Sequence, residues 1–408
     1  MRRYNDFLAR SKKNIGAPFM RIAGLSPATQ QPITLEIRDG TIGVVEAGVV
    51  RADLGDSQHF LAAGMIDAQH NGYLGHAFAD LKCTVDHIKS IIEANWRTGT
   101  THFYPTLYTN TDAVYTHALR TIDAAAQDAK YGRAILGVHV EGPYLSPVDG
   151  PRGSHMLEFI REPNIAEFKR WHEASGKRIK LVTVAPEING ALDFIRAARK
   201  LKVKVSLGHH NATGEQIQAA IAAGADMVTH LGNGAHRMIN RFHNYIFQQL
   251  AEDRLYAGMI ADGEHLPDSV LRIFFRTKPR NKIVLVSDVV SLGGLPPGSY
   301  TREDGQKTRI LPSGRVESDD ESGNLAGAGV LLDRCIPKAL SIGEFTLAQC
   351  LDLASLNPAR YFKQHQRLGS LAIGKEASLF LFKTAIGQKL DVTLTMVAGE
   401  VVYDNRKV

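Results

Sequence analysis

From Phe60 onward the sequence alternates short apolar runs with amphipathic segments, and it does so eight times. The strand-like runs are FLAAGMI (60–66), THFYPT (101–106), AILGVHV (134–140), IKLVTV (179–184), VKVSL (203–207), ADMVTH (225–230), LYAGMI (255–260) and KIVLVSD (282–288). Helical patterns such as DHIKSIIEANWRTG, AVYTHALRTIDAAAQD and GEQIQAAIAAG separate them. Thr213 and Gln216 form a capping box that opens the last of these. Eight strands, each followed by a helix, predict an α/β chain closed into a (β/α)8 barrel. A doubly wound open sheet is the competing architecture. It calls for a glycine-rich phosphate loop after the first strand, and AGMIDAQHNG lacks the GxGxxG form.

Both ends of the chain read differently from its middle. ITLEIR and TIGVVEAG flank Asp39-Gly40, a dipeptide suited to a tight hairpin. The tail from Gly369, GSLAIGKEASLFLFKTAIGQKLDVTLTMVAGEVVYD, returns to short strands. The two ends are expected to pair into a small β-sandwich domain, residues 1–59 supplying one part and 368–408 the other. The barrel then occupies 60–367. Within it PPGSYTREDGQKTRILPSGRVESDDESGNL (296–325), rich in Gly, Ser, Pro and charge, is expected as an exposed β-hairpin insertion.

The chain has 408 residues and a formal charge of +6, but its Lys and Arg are scattered rather than gathered into runs, so no nucleic-acid partner is expected. No apolar run is long enough to span a bilayer. MRRYNDFLARSKKN at the N-terminus is not followed by the apolar stretch of a secretory signal. Cys83, Cys335 and Cys350 are odd in number and show no CxxC spacing, which fits a cytoplasmic protein with reduced thiols.

Chemistry in such a barrel gathers at the C-terminal ends of the strands. Those ends carry Gln69 and Asn71, His139 and Glu141, Glu187, His209, His230, His265 and Asp288. Glu141 with His209 and His230 supplies one carboxylate and two imidazoles, a set that suits Zn2+ and leaves a coordination position open for water. Such a site brings the pKa of its water to about 7. Asp288, closing the last strand, is placed to move a proton to and from that water.

The blocks GMIDAQHNGYLGHAF (64–78), HVEGPYLSP (139–147), VTVAPE (182–187), VSLGHHNAT (205–213), THLGN (229–233), IADGEH (260–265), LVSDVVSLGGLPPGSY (285–300), NLAGAG (324–329) and ASLNPAR (354–360) together resemble the amidohydrolase superfamily, in particular its N-acetylglucosamine-6-phosphate deacetylase family. The resemblance implies hydrolysis of the N-acetyl amide of an amino sugar phosphate. It assigns Glu141, His209 and His230 to the metal and Asp288 to acid–base catalysis. His155 matches a histidine that polarises the substrate carbonyl, and Asn233, Gly234, Arg241 and His265 match substrate-binding positions. Many superfamily members carry HxH after the first strand to hold a second metal. Here the two positions are Gln69 and Asn71, poor ligands for Zn2+, so one divalent ion is expected. His70 between them should point away from the site by strand alternation. A homodimer is also implied. The loop that reads HLxNAM and REPG in the family reads HLGNGAHRMINRFHN here, with a second arginine at Arg237. This departure motivates an alternative substrate, another N-acyl amino sugar or an N-acyl amino acid. A non-catalytic binding protein on the same fold is the third reading.

Overall fold

The computed structural model describes residues 19–49, 51–320, 323–385 and 388–406. The N-terminal stretch MRRYNDFLARSKKN therefore lies outside the described residues.

Eight parallel strands form the barrel: Met65–His70, Thr100–Tyr108, Val138–Glu141, Ile179–Val184, Lys204–Leu207, Met227–Val228, Tyr256–Met259 and Ile283–Leu285. They neighbour one another in chain order. The eighth returns to the first through a parallel bridge between His70 and Val289 and a 2.9 Å hydrogen bond from Asp288 N–H to the Gln69 carbonyl. Ile66, Ala68, Tyr104, Leu181, Met227, Ile260, Val284 and Val286 belong to one buried apolar cluster. The helices pack their apolar faces around the outside, as in Val85–Trp96, which buries Ile88, Ile91, Ile92 and Trp96. The Thr213–Gln216 capping box is formed, with reciprocal bonds of 2.8 and 3.3 Å.

A separate seven-stranded sheet is built from both chain ends. Its centre is the antiparallel pairing of Leu54–Ala63 with Leu379–Lys383, in register at Leu61 and Leu381. Asp39 and Gly40 make the two-residue turn between Pro32–Arg38 and Thr41–Ala47, both with positive φ (48° and 72°), the conformation that a tight hairpin of this length selects.

Three elements differ from the sequence expectation. Residues 60–63 belong to the small sheet rather than to the first barrel strand. The chain changes sheets at Gly64, where a Cβ would lie 2.1 Å from Thr101 Oγ1, and the barrel strand starts at Met65. Residues before Val138 are not strand, because Tyr131–Ala134 is a 3-10 turn. The insertion is a three-stranded antiparallel sheet, Gly298–Thr301, Lys307–Ile310 and Val316–Ser318, and it is not simply exposed. Ile310 and Val316 pack on Val290, Leu292 and Ala326, which brings part of it down onto the barrel mouth.

Where barrel and small sheet meet, Glu376 accepts from Arg367 Nη1 (2.6 Å) and Ser378 Oγ (2.5 Å) and lies 3.4 Å from Nε2 of the buried His102. Burial alone would raise its carboxyl, but His102, Ser378 and Arg367 outweigh this and hold it at about 2, below the ordinary value of 4.5. A depressed carboxylate stabilises the fold above its unfolded pKa and ceases to do so as pH falls through the folded one. The contribution, about 2–3 kcal/mol by linkage, should be present at neutral pH and be lost between about pH 5 and pH 2. Glu376→Gln should therefore lower the melting temperature at pH 7 and shrink that gap at acid pH, as thermal melts across pH would register.

Candidate active site

Three residues at the strand ends have left-handed backbones: His209 (φ 50°), His230 (φ 30°) and Asp288 (φ 53°). A non-glycine residue adopts this region at a cost of about 1–3 kcal/mol, which the surrounding fold must offset. Here the turn at each strand end swings the side chain toward the barrel axis, and all three line one cavity of about 660 Å³.

The Nε2 atoms of His209 and His230 stand 2.9 Å apart, and Glu141 Oε1 lies 3.0 Å from His230 Nε2 and 3.4 Å from His209 Nε2. His155 Nε2 lies 3.1 Å from His209 Nε2. By another grouping Glu141, His155 and His209 also present ligand atoms within 4.8 Å of one another. The Glu141–His209–His230 triangle is the tighter set. Its edges sit near the separation of about 3.3 Å that tetrahedral ligands 2.0–2.1 Å from one Zn2+ would have. The protonation pattern fits the same reading. His209 Nδ1 is 2.9 Å from the Pro151 carbonyl, so it carries the proton and leaves Nε2 a lone pair aimed at the cluster. Several lone pairs and a carboxylate then converge with few protons between them, a donor set that a cation satisfies. The His209 ring is fixed from both sides by glycines. A Cβ on Gly234 (φ 57°) would lie 2.7 Å from His209 Nδ1, and one on Gly153 3.1 Å from Cε1.

Gln69 and Asn71 show what replaces histidines after the first strand. Gln69 Nε2 donates to both oxygens of Glu141 (3.0 and 3.1 Å) and to Asp288 Oδ1 (3.0 Å), and Asn71 Nδ2 donates to the same Asp288 oxygen at 2.8 Å. Amide N–H groups thus face two carboxylates, where a second cation would otherwise stand. His70 points the other way, its Nε2 3.2 Å from Asn95 Nδ2 and its ring 5.2 Å from that of Phe103.

Burial pushes the Asp288 carboxyl up, and the charge of Glu141 adds to the shift. Burial acts the same way on Glu141, but hydrogen bonds and charge from His209 and His230, when these rings carry the protons that a bound cation would replace, overcome it and hold that carboxyl well below the usual range. Two neighbouring carboxylates are therefore separated in proton affinity, one fixed as an anion and one able to exchange a proton. Burial and the neighbouring His209 keep His155 neutral.

Asn233, Gly234 and His265 line the cavity on the side of strands six and seven. His265 Nδ1 is anchored at 2.7 Å to Asp262 Oδ2, and Asn233 Nδ2 donates to the His230 carbonyl at 3.3 Å. Arg241 is not brought to the cavity of its own chain. It is exposed, with its guanidinium 5.0 Å over the Phe242 ring. The reason is local: Asn240 Oδ1 accepts from the N–H groups of Phe242 and His243 (3.0 and 2.9 Å), and this turn sends residue 241 outward. Arg237, four positions earlier, lines the cavity instead and donates to Asn324 Oδ1 at 3.0 Å. Two strand-end residues also stand aside. His139 is buried beneath the cluster at 2.7 Å from Thr183 Oγ1, and Glu187 accepts from Asn211 N–H without reaching the cavity wall.

Sequence reasoning overlooked Tyr108, at the end of strand two, and Arg302, in the insertion, both of which line the cavity. A tyrosine in a PTLYTN strand end carried a signal that could have been followed. The charged REDG turn that holds Arg302 reads like any solvated loop.

A family model described as the amidohydrolase family matches residues 60–402. The chain is 31% identical to N-acetylgalactosamine-6-phosphate deacetylase of Escherichia coli O157:H7, over 90% of this chain and 93% of that one. It is 30% identical to N-acetylglucosamine-6-phosphate deacetylase of Vibrio furnissii, over 92% of each. In three dimensions it is similar to the crystal structure of N-acetylglucosamine-6-phosphate deacetylase from Pasteurella multocida, with a TM-score of 0.83 and 26% identity over 94% of this chain and 99% of that one. Among the described residues no helix is long and apolar enough to cross a membrane.

Proposed function

The chain belongs to the amidohydrolase family, within its N-acetylglucosamine-6-phosphate deacetylase branch, and from that premise we propose that it hydrolyses the N-acetyl amide of N-acetylglucosamine 6-phosphate to glucosamine 6-phosphate and acetate. The observation that carries this reading is the convergence of Glu141, His209 and His230 beside Asp288 in one cavity. The family is metal-dependent. We assign one divalent ion, Zn2+ by the chemistry of the donors, to Glu141, His209 and His230. When bound, that ion supplies an acidified water and positive charge for the carbonyl oxygen.

The remaining work falls to the chain. Asp288 takes a proton from the attacking water, and Gln69 and Asn71 hold its carboxylate by the amide N–H hydrogen bonds described above. Asp288 returns the proton to the departing amine nitrogen as the carbon–nitrogen bond breaks. His155 steadies the developing charge on the carbonyl oxygen. Asn233, Gly234 and His265, with Arg237 in the place expected for Arg241, hold the sugar phosphate. Met238 (88% exposed), Phe242 (66%) and Phe247 (50%) stand exposed on the loop and helix that follow Asn233, and their exposure supports a homodimer covering the phosphate end. The three buried free cysteines suit a cytoplasmic enzyme.

Steady-state assays with N-acetylglucosamine 6-phosphate and with unphosphorylated N-acetylglucosamine test the reading. A preference of at least ~100-fold in kcat/KM for the phosphorylated sugar is expected, the value of one charge-assisted anchor. Equal rates on the two sugars, or none on either, would sink it.

A further inference from the structure

Lysines and arginines that are scattered along the sequence gather on the underside of the barrel, the face opposite its mouth. A second cavity of about 440 Å³ opens there. Lys180 reaches it from the start of strand four and Lys204 from the start of strand five. Arg199 and Lys202 come from the end of the helix Ala191–Lys200 between those strands, and Lys363 from the end of the helix Leu356–Tyr361. Phe362, stacked on Tyr104 with ring centroids 3.9 Å apart, supplies an apolar wall. No aspartate or glutamate among the described residues lines the cavity. Asp226 pairs with two of the five cations: its Oδ2 accepts from Lys204 Nζ at 2.8 Å and from Arg199 Nη1 at 3.2 Å. Its Oδ1 is taken by the Tyr361 hydroxyl at 2.7 Å.

Lys202 and Lys363 are the informative pair. Each stands one residue past a helix C-cap with a left-handed backbone (φ 63° and 59°). The N–H groups of Lys202 and Val203 donate to the carbonyls of Arg199 and Ala198 (2.9 and 3.1 Å). Those of Lys363 and Gln364 donate in the same pattern to Arg360 and Ala359 (3.1 and 2.7 Å). This Schellman closure ordinarily takes glycine, which enters the left-handed region without steric cost. The helix dipoles do not call for these lysines, because Arg199 and Lys200 already stand in one last turn and Arg360 in the other. Neither Nζ has an ion pair or hydrogen bond among the described residues. Lys204 is partly withdrawn from water, its ammonium 4.0 Å over the Tyr361 ring. Burial lowers its pKa further than Asp226 restores it, and the charges of Arg199 and Lys363 push the same way. Like charges gathered in this way repel, and an anion among them relieves the repulsion.

We propose that this cavity is a binding site for a di- or triphosphate group, held by Lys180, Arg199, Lys202, Lys204 and Lys363. Its volume falls within the range of about 300–1,000 Å³ typical of small-molecule sites. Five cations against one carboxylate call for a multiply charged anion, and a carboxylate or a single phosphate would leave most of that charge unanswered. Ammonium groups act on phosphate oxygens as compact point charges, which suits a chain of phosphates more than one planar acid. The site stands at the opposite end of the barrel from Glu141, His209 and His230, so binding here requires nothing of the catalytic residues.

Titration calorimetry with tripolyphosphate, ATP and inorganic phosphate tests this, on the intact protein and on the double variant Lys202→Gly with Lys363→Gly. The intact protein should bind tripolyphosphate at least ~10-fold more tightly than inorganic phosphate. The double variant should lose roughly 10–100-fold of that affinity, since one charge-assisted contact is worth about tenfold. Glycine is the residue that both helix ends favour, so the melting temperature of the unliganded variant should not fall, which separates lost binding from a damaged fold. Tighter binding of ATP than of tripolyphosphate would identify a nucleotide as the occupant, its base against Phe362. Equal or weaker binding of ATP would identify the phosphate chain alone. Failure of both triphosphates to bind at millimolar concentration overturns the proposal. So does affinity that the double variant keeps in full, or inorganic phosphate binding as tightly as tripolyphosphate.

Discussion

Asp288→Asn should reduce kcat/KM for the N-acetylated sugar phosphate by roughly 10²–10⁴-fold, the usual contribution of a positioned proton carrier. The substitution preserves shape, and an amide oxygen at this position can still accept from Asn71 Nδ2, now 2.8 Å from Oδ1. What it removes is the ability to take a proton and return it to nitrogen. Because Asp288 lies outside the Glu141–His209–His230 triangle, metal content should remain that of the unaltered protein. Elemental analysis beside steady-state kinetics would check both halves. Loss of metal together with activity would place Asp288 among the ligands and contradict the assigned role.

His209→Ala should act in the opposite way, through the metal. His209 contributes one corner of the triangle, and its orientation is fixed by the Pro151 carbonyl and by Gly153 and Gly234. Loss even of a group that orients a ligand costs 10–100-fold in metal affinity, so removal of a ligand should cost at least ~100-fold, with activity falling in step. The ring belongs to none of the apolar clusters that build the barrel core, so far-UV circular dichroism should be unchanged. A variant that keeps full metal occupancy would transfer the metal to another set, such as Glu141 with His155 and His230.

Much of the fold could be read from local pattern. The strand–helix alternation, the Asp39-Gly40 turn and the Thr213–Gln216 box each follow from chemistry confined to a few neighbouring residues. The boundary at Gly64 did not, because FLAAGMI is apolar throughout and two different sheets claim its halves. The two strand-end histidines, the strand-end aspartate and Glu141 were equally legible, since a ligand type at the end of a barrel strand can face only the mouth or the wall. His139 and Glu187 obeyed the same rule by position and still face elsewhere.

The sequence by itself determined the barrel, the meeting of Glu141, His209, His230 and Asp288 at its mouth, and the absence of histidines at 69 and 71. These depend on periodicity and residue type, which are local properties. Tertiary structure decided that the amides of Gln69 and Asn71 face the carboxylates of Glu141 and Asp288, that Arg237 rather than Arg241 reaches the cavity, and that the insertion lowers Arg302 onto Tyr108. Each of these joins residues far apart in the chain or turns on the direction of one loop. Such contacts are set by packing across elements, and no short window of sequence encodes them.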